Sequence, residues 1–551
     1  MSRDQLYRSP DLPMHDLIRD STIGQIINYA SRGRFLPYAD QRPEYVVPSR
    51  YLPARENDAT TLNEEDKKIK SESTTPATAD VEDPYLVDWE ENDTDNPRNW
   101  SFKKRAFVNF AISLLTFSMY IGSAIYTASI LNLMEEYNVS FTIGTLGLTL
   151  YVLGYGVGPM FLAFLQEIPA FGRNPIYIGT LFIFVILQIS LVTAKNMNTV
   201  LALRFLTGFF GSPALSTGGA SISDVFPMHQ FPYVLGVWSL GATAGPIMGP
   251  VIGGFAAQAK GWRWPMLELL WIASFSLIFL ALLLPETNGP TVLLRRAERL
   301  RRLTGNKELR TATERQHSGT SEILYEALVR PFILAAEPVL MFANLYLGFV
   351  YGLFYIWFEA FPLVFNDIYH FNEGVGGLPY LGFLVSGTLG YVFYCIYHAY
   401  HIAPRYMRAV AQGKSVPEEI KLELGLIASI LVPTSVLTFG FTAKASIHWM
   451  APIIGASLYF PAIFLIFQSI LAYITGAYPE HKTAVLTGNV LFRASIASVF
   501  PLFGRGFFHN LGLGGGSGLL AGLSFALMGV YCLLLKYAHI LRRRSKYAVT
   551  G

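Results

Sequence analysis

From residue 106 onward the sequence keeps returning to one pattern, a run of about twenty or more mostly apolar residues, long enough as a helix to cross a hydrocarbon layer of roughly 30 Å. Inside lipid no water satisfies the backbone, so runs of this length must be helices that bond internally. Twelve are predicted, at about 106–130, 143–165, 175–194, 198–222, 232–257, 264–284, 338–363, 374–398, 422–443, 449–475, 483–504 and 517–538. The expected fold class is all-α, integral membrane, with twelve transmembrane helices. A chain of 551 residues that is 52% hydrophobic and 15% charged is not a soluble enzyme.

Basic residues choose the orientation. With the amino terminus inside, the inner flanks and loops from residue 103 on carry 22 Lys and Arg, and the outer loops only Lys195, Lys260, Arg263, Lys444 and Arg505. Both termini are therefore expected in the cytoplasm. The chain divides into a cytoplasmic tail (1–101), a six-span half (102–284), a cytoplasmic linker with a basic amphipathic helix (285–337), a second six-span half (338–540) and a basic tail (541–551). The first tail holds 12 basic and 20 acidic residues and is read as solvated, with Thr60–Asp83 disordered. Within it, Met14–Ala30 has helical apolar spacing and suits either the inner membrane surface or a dock on the protein itself. The linker helix, Leu293 to Gly305, is expected on the inner membrane surface. The first hundred residues contain no long apolar run, so no cleavable signal peptide is read and span 1 must do the targeting. Cys395 and Cys532 fall inside spans and imply no disulfide framework.

No GxxxxGK[ST] loop is present to cradle phosphates, and ten scattered histidines offer no metal spacing. The reading has no metal, no cofactor and no nucleic-acid partner, and a proton gradient as the energy source.

Trp238 to Gly254, WSLGATAGPIMGPVIGG, carries glycines at 241, 245, 249 and 253, whose four-residue spacing makes a face another helix can approach closely. Pro246 and Pro250 favour a kink that membrane neighbours can tolerate. The pattern Gly241, Gly245, Pro246, Gly249, Pro250, Gly253 and Gly254 resembles the antiporter motif of drug/proton antiporters of the major facilitator superfamily. Further motifs share that resemblance: NPRNW at 96–100, the Pro285-Glu286-Thr287 element with the RRAERLRRLTG run, FEAFP from Phe358, and FRASIASVFPLFG from Phe492. Together they resemble fungal plasma-membrane multidrug exporters of the benomyl, methotrexate and fluconazole resistance type. The resemblance implies the major facilitator fold, two six-helix halves around a central site, and export of diverse drugs and xenobiotics in exchange for protons. The chain is expected to act as a monomer in the lipid bilayer and not as an enzyme. A dedicated exporter of one metabolite, such as a polyamine or a secondary metabolite, is the alternative; a membrane receptor or scaffold is a third reading.

Candidate residues follow from charge inside the bilayer, which is costly unless it faces a cavity or a partner. Arg204 in span 4 resembles an arginine linked to proton transfer in this superfamily, or is a structural arginine held by backbone carbonyls. Glu359 in span 7 and Glu268 in span 6 are the carboxylates well inside spans; Glu359 is read as the proton carrier, or as a structural partner of Arg493. The expected substrate cavity comprises Tyr120, Gln188, Arg204, Phe358, Glu359, Gln468, Asn489 and Arg493, with the helix 5 glycines closing against a helix of the other half. Gly158, Glu167, Gly172 and Arg173 resemble the superfamily's cytoplasmic loop motif, and with Asp224 form an expected cytoplasmic gate. Asn138 begins a glycosylation sequon in the first outer loop.

Overall fold

The computed structural model describes residues 14–52, 85–315, 320–413 and 416–548, and Thr60–Asp83 lie outside the described residues. Ten helices among these are long and apolar enough to cross a membrane. The last, Pro479–Arg544, holds two crossings, because Gly512 adopts φ 71°, ψ 159° and breaks it. One more crossing helix, Met197–Ser216, brings the total to twelve. In chain order they are α1 (Phe102–Ala124), α2 (Phe141–Leu162), α3 (Asn174–Val192), α4 (Met197–Ser216), α5 (Phe231–Lys260) and α6 (Arg263–Leu283). The second set is α7 (Pro338–Phe361), α8 (Leu381–Tyr397), α9 (Ile420–Ser429 and Leu431–Thr442), α10 (Met450–Ser457 and Tyr459–Ala477), and α11 and α12 on either side of Gly512.

Small residues decide who touches whom. Gly154 and Gly208 let α2 and α4 approach backbone to backbone, and Gly348 and Gly352 seat α7 against Ile496 and Phe500 of α11. The two sets meet along two seams, α2 on α11 and α5 on α8 with the short helix Glu373–Gly377 that precedes it. Cys395 and Cys532 are free thiols.

On the face that carries both chain ends, two expectations are corrected. The helix Gly289–Thr304 does not present its apolar side to a membrane: Ala297 and Leu300 are buried with Tyr51, Val87 and Leu309. Two of its arginines pair with the tail, Arg296 with Asp93 and Asp95, and Arg299 with Asp40 at 2.8 Å. The described part of the tail is therefore docked rather than solvated, because its excess carboxylates complement an arginine-rich helix more closely than water does. Met14–Asp20 and Thr22–Ala30 form two short helices that dock on the protein, with Leu17 buried, Lys104 bonded to Asp20 at 3.2 Å and Glu286 N donating to Asp20 O. At the other terminus Arg542 pairs with Glu419 at 3.2 Å.

Candidate functional site

Where the halves meet near mid-bundle, four tyrosines converge. The Tyr120 hydroxyl of α1 and the Tyr155 hydroxyl of α2 each lie 2.6 Å from the Tyr351 hydroxyl of α7, and Tyr155 lies 3.0 Å from Tyr355. Spacing of four places Tyr351 and Tyr355 on one face of α7. The Arg493 guanidinium of α11 rests over Tyr351 at 4.7 Å and over Phe467 of α10 at 4.9 Å, and has no carboxylate within 4 Å among the described residues. Thr149 of α2 donates to Ser498 O of α11 at 2.8 Å and Tyr391 of α8 to Tyr233 O of α5 at 3.2 Å, so both seams are hydrogen-bonded, and Gln468 of α10 donates across to Ser239 of α5 at 3.2 Å. Asn489 donates to Asn344 of α7. Side chains fill the space expected to be a cavity, with Tyr155, Tyr351 and Tyr355 buried.

One turn beyond Tyr355, Glu359 is buried beside Gly504 of α11, among Phe358 and Tyr380, whose rings stack at 5.5 Å. Arg493 is not its partner: no ion pair to Glu359 occurs among the described residues. Three expected members are elsewhere. Gln188 is buried between α3 and α6, donating to Met266 O at 3.0 Å. Glu268 is half-buried on α6. Arg204 lies wholly inside the first half, Nε donating to Gly147 O at 3.1 Å and Nη1 to Gly122 O at 2.8 Å, its plane over Tyr126 and Tyr151. Of the two readings of Arg204, this is the backbone-carbonyl arrangement.

Beside the docked tail, Arg173 is the hub of a charge cluster, 3.5 Å from Glu167 and 3.2 Å from Asp224. Glu286 fixes the start of α3 by accepting from the backbone N–H groups of Arg173, Asn174, Thr287 and Asn288 at 3.0–3.2 Å. Gly172, at φ 77°, leaves room for that carboxylate, since a Cβ there would lie 2.5 Å from Glu286 Oε2. Gly158 does not belong to this cluster: it faces Ser212 and serves the α2–α4 contact.

Burial pushes the Asp224 carboxyl up to about 7, against the pull of Arg173. The buried acid thus holds its proton more tightly than an exposed one, which favours this packed arrangement at low pH and withdraws that support as pH rises through 7. Hydrogen-exchange protection of residues 163–175, corrected for intrinsic rates, should fall between pH 6 and 8, and Asp224→Asn should flatten that slope. Equal slopes in both proteins would remove Asp224 from the response.

The helix 5 glycines are the largest correction. A Cβ on Gly241, Gly245, Gly249 or Gly253 would lie 2.6–3.0 Å from atoms of Ser113, Ile121 and Ile125, so this face packs on α1 and its continuation, within the same half. Of the motif glycines, Gly254 is the one that reaches across. A Cβ on Gly254 would lie 2.7 Å from Glu373 O, and one on Gly377 would lie 2.5 Å from Pro250 O. Gln258 accepts from Gly374 N at 2.9 Å at the same seam. Gly374 and Gly377 escaped the sequence reading, as did Tyr155, Tyr351 and Tyr355, although tyrosines four apart inside a span were a visible signal. Asn138 is exposed in a left-handed conformation between Ile130–Tyr137 and α2.

The family model of the Major Facilitator Superfamily matches residues 112–502. "Transporter mfs1" of Schizosaccharomyces pombe is 40% identical over 84% of this chain and 88% of its own. The "Cycloheximide resistance protein" of Candida maltosa is 36% identical over 97% of this chain and 100% of its own, and "Fluconazole resistance protein 1" of Saccharomyces cerevisiae 38% over 84% and 85%. Among solved structures, the proton:xylose symporter XylE bound to 6-bromo-6-deoxy-D-glucose superposes with TM-score 0.57 at 12% identity, covering 79% of this chain and 96% of that one, which carries the fold alone. With its twelve crossing helices, two seams and these relatives, this multi-pass membrane protein belongs to the Major Facilitator Superfamily, a family of transporters rather than enzymes.

Proposed function

We propose that this chain exports structurally diverse small molecules, drugs and xenobiotics among them, across the plasma membrane in exchange for protons. The observation that carries the reading is the set of polar and charged groups at the seam between the halves, four tyrosine hydroxyls and Arg493, with Glu359 one turn further along α7 and neither charged group in an ion pair among the described residues. Groups so placed are an expense to a static bundle and useful to one that opens. The relatives named for drug resistance support the same reading.

In this mechanism residues 102–284 and 338–540 rock as two bodies, with both termini cytoplasmic and the chain acting as a monomer. The α2–α11 and α5–α8 seams open alternately toward the two sides. Glu359 carries the proton, and the proton gradient alone supplies the energy. Arg204 holds α1, α2 and α4 together so that the first half moves as a unit, and the Glu167–Arg173–Asp224 cluster braces its cytoplasmic end.

Efflux of a fluorescent planar drug from cells expressing the chain should rise several-fold when an inward proton gradient is imposed. No efflux of any member of a drug panel by correctly localised protein would replace broad export with a single dedicated metabolite. Efflux indifferent to the gradient would end the antiport reading.

A further inference from the structure

The tyrosine cluster also says something about what the open seam can bind. Tyr120 and Tyr155 belong to the first half and Tyr351 and Tyr355 to the second, so the hydroxyl contacts at 2.6, 2.6 and 3.0 Å all cross between the halves. They must break whenever the halves separate there. Freed in a low-dielectric interior, such groups are costly until another partner takes them up. Beside them stands Arg493, half-buried, over two aromatic faces. Its Nε is buried without a hydrogen-bond partner among the described residues. Each phenol both donates and accepts, whereas a guanidinium offers donors and no acceptor, so Arg493 tips the opened seam toward donors.

We infer that the seam at Tyr120, Tyr155, Tyr351, Tyr355 and Arg493 is the substrate-binding surface, and that it selects planar aromatic compounds carrying exposed hydrogen-bond acceptors, neutral or anionic, over permanent cations. The inference rests on the export reading and adds a substrate class to it. Arg493, lying over Tyr351 and Phe467, keeps its N–H edge for a charge-assisted bond to a ligand carbonyl, carboxylate or ring nitrogen, and the Tyr120 and Tyr155 rings of the other half supply aromatic surface once the seam opens. Glu359, the acid on α7 that favours cations, lies one turn past Tyr355 but eight residues, about 12 Å, past Tyr351. The charge at the level of Tyr351 is therefore that of Arg493, stacked on its ring.

The test uses the full chain in proteoliposomes with an imposed proton gradient and two planar dyes of opposite charge, fluorescein with its carboxylate and ethidium with its quaternary nitrogen. Wild type should move fluorescein faster than ethidium. Arg493→Gln should slow fluorescein about ten- to a hundredfold, the loss expected for one charge-assisted bond, and leave ethidium unchanged or faster. Arg493→Lys should restore part of the fluorescein rate, which a purely structural arginine would not do selectively. Equal slowing of both dyes, an unaltered fluorescein rate in Arg493→Gln, or a wild-type preference for ethidium would overturn the inference while leaving transport intact. Wild type that is folded and moves neither dye would bring down the export reading together with it.

Discussion

A Gly254→Leu protein should reach the membrane folded and lose at least about tenfold of its export, whereas Gly249→Leu should fail earlier, as a loss of folded protein. The two glycines are five residues apart on one helix, and the difference lies in what each one touches. A Cβ on Gly249 meets Ile125 N at 2.6 Å and Ala124 C at 2.9 Å, which are backbone atoms of its own half and cannot swing aside. A leucine there must push α5 off α1, and a membrane helix pair held by close backbone approach has little else to hold it. At Gly254 the obstacle is Glu373 O at 2.7 Å, across the α5–α8 seam. Overpacking of that kind strains a contact that a transporter makes and breaks in each cycle, so the halves survive and the closing step does not. Detergent-extracted protein, followed by fluorescence-detected size exclusion, reports the first effect, and dye efflux normalised to surface protein reports the second. Normal export by Gly254→Leu would show that this seam does not have to close as it does here.

That contrast marks the boundary of what could be read beforehand. Apolar runs and basic loops located the crossings, because hydrophobic length and positive charge are local properties of the chain. The contact of Arg173 with Glu167 was also within reach, six residues apart across one short loop. Period 3.6 shows that four glycines share a face of α5, but no periodicity names the neighbour on that face, which is α1. The tail was misjudged for a related reason. Asp93 and Arg296 are 203 residues apart, and a charge run whose complement lies that far away looks solvated until the fold brings them together. Aromatic content had the opposite fault, being so plentiful, with 30 Tyr and 40 Phe, that Tyr155, Tyr351 and Tyr355 did not stand out from packing residues. What distinguishes them is three hydroxyls within 3.0 Å of one another's partners across the seam, a property of the assembled halves alone.

Export by Glu359→Gln should continue at a reduced rate and no longer respond to the proton gradient. Glutamine keeps the shape and the hydrogen-bonding capacity of a protonated glutamic acid but cannot release a proton. The place is suited to a carrier. Glu359 is buried four residues past Tyr355 on the same face of α7, its Cγ facing Gly504 on α11, and among the described residues it makes no ion pair that a proton would have to displace. A carboxyl group tied to an arginine exchanges protons only by breaking that bond, whereas one without such a tie responds to whichever side of the membrane it meets. Arg493 cannot hold it, being engaged over Tyr351 and Phe467, and Arg505 extends instead over Phe141 of α2 at 4.7 Å. Glu268, the other intramembrane acid of the sequence reading, sits on α6, away from both seams, so Glu268→Gln is the matched control and should keep its gradient response. The measurement is dye efflux with the outside at about pH 5 and at about pH 7.5, where wild type should differ several-fold, as one pH unit of driving force corresponds to about 1.4 kcal/mol per proton. A gradient response retained by Glu359→Gln and lost by Glu268→Gln would move the proton path into the first half, alongside Arg204.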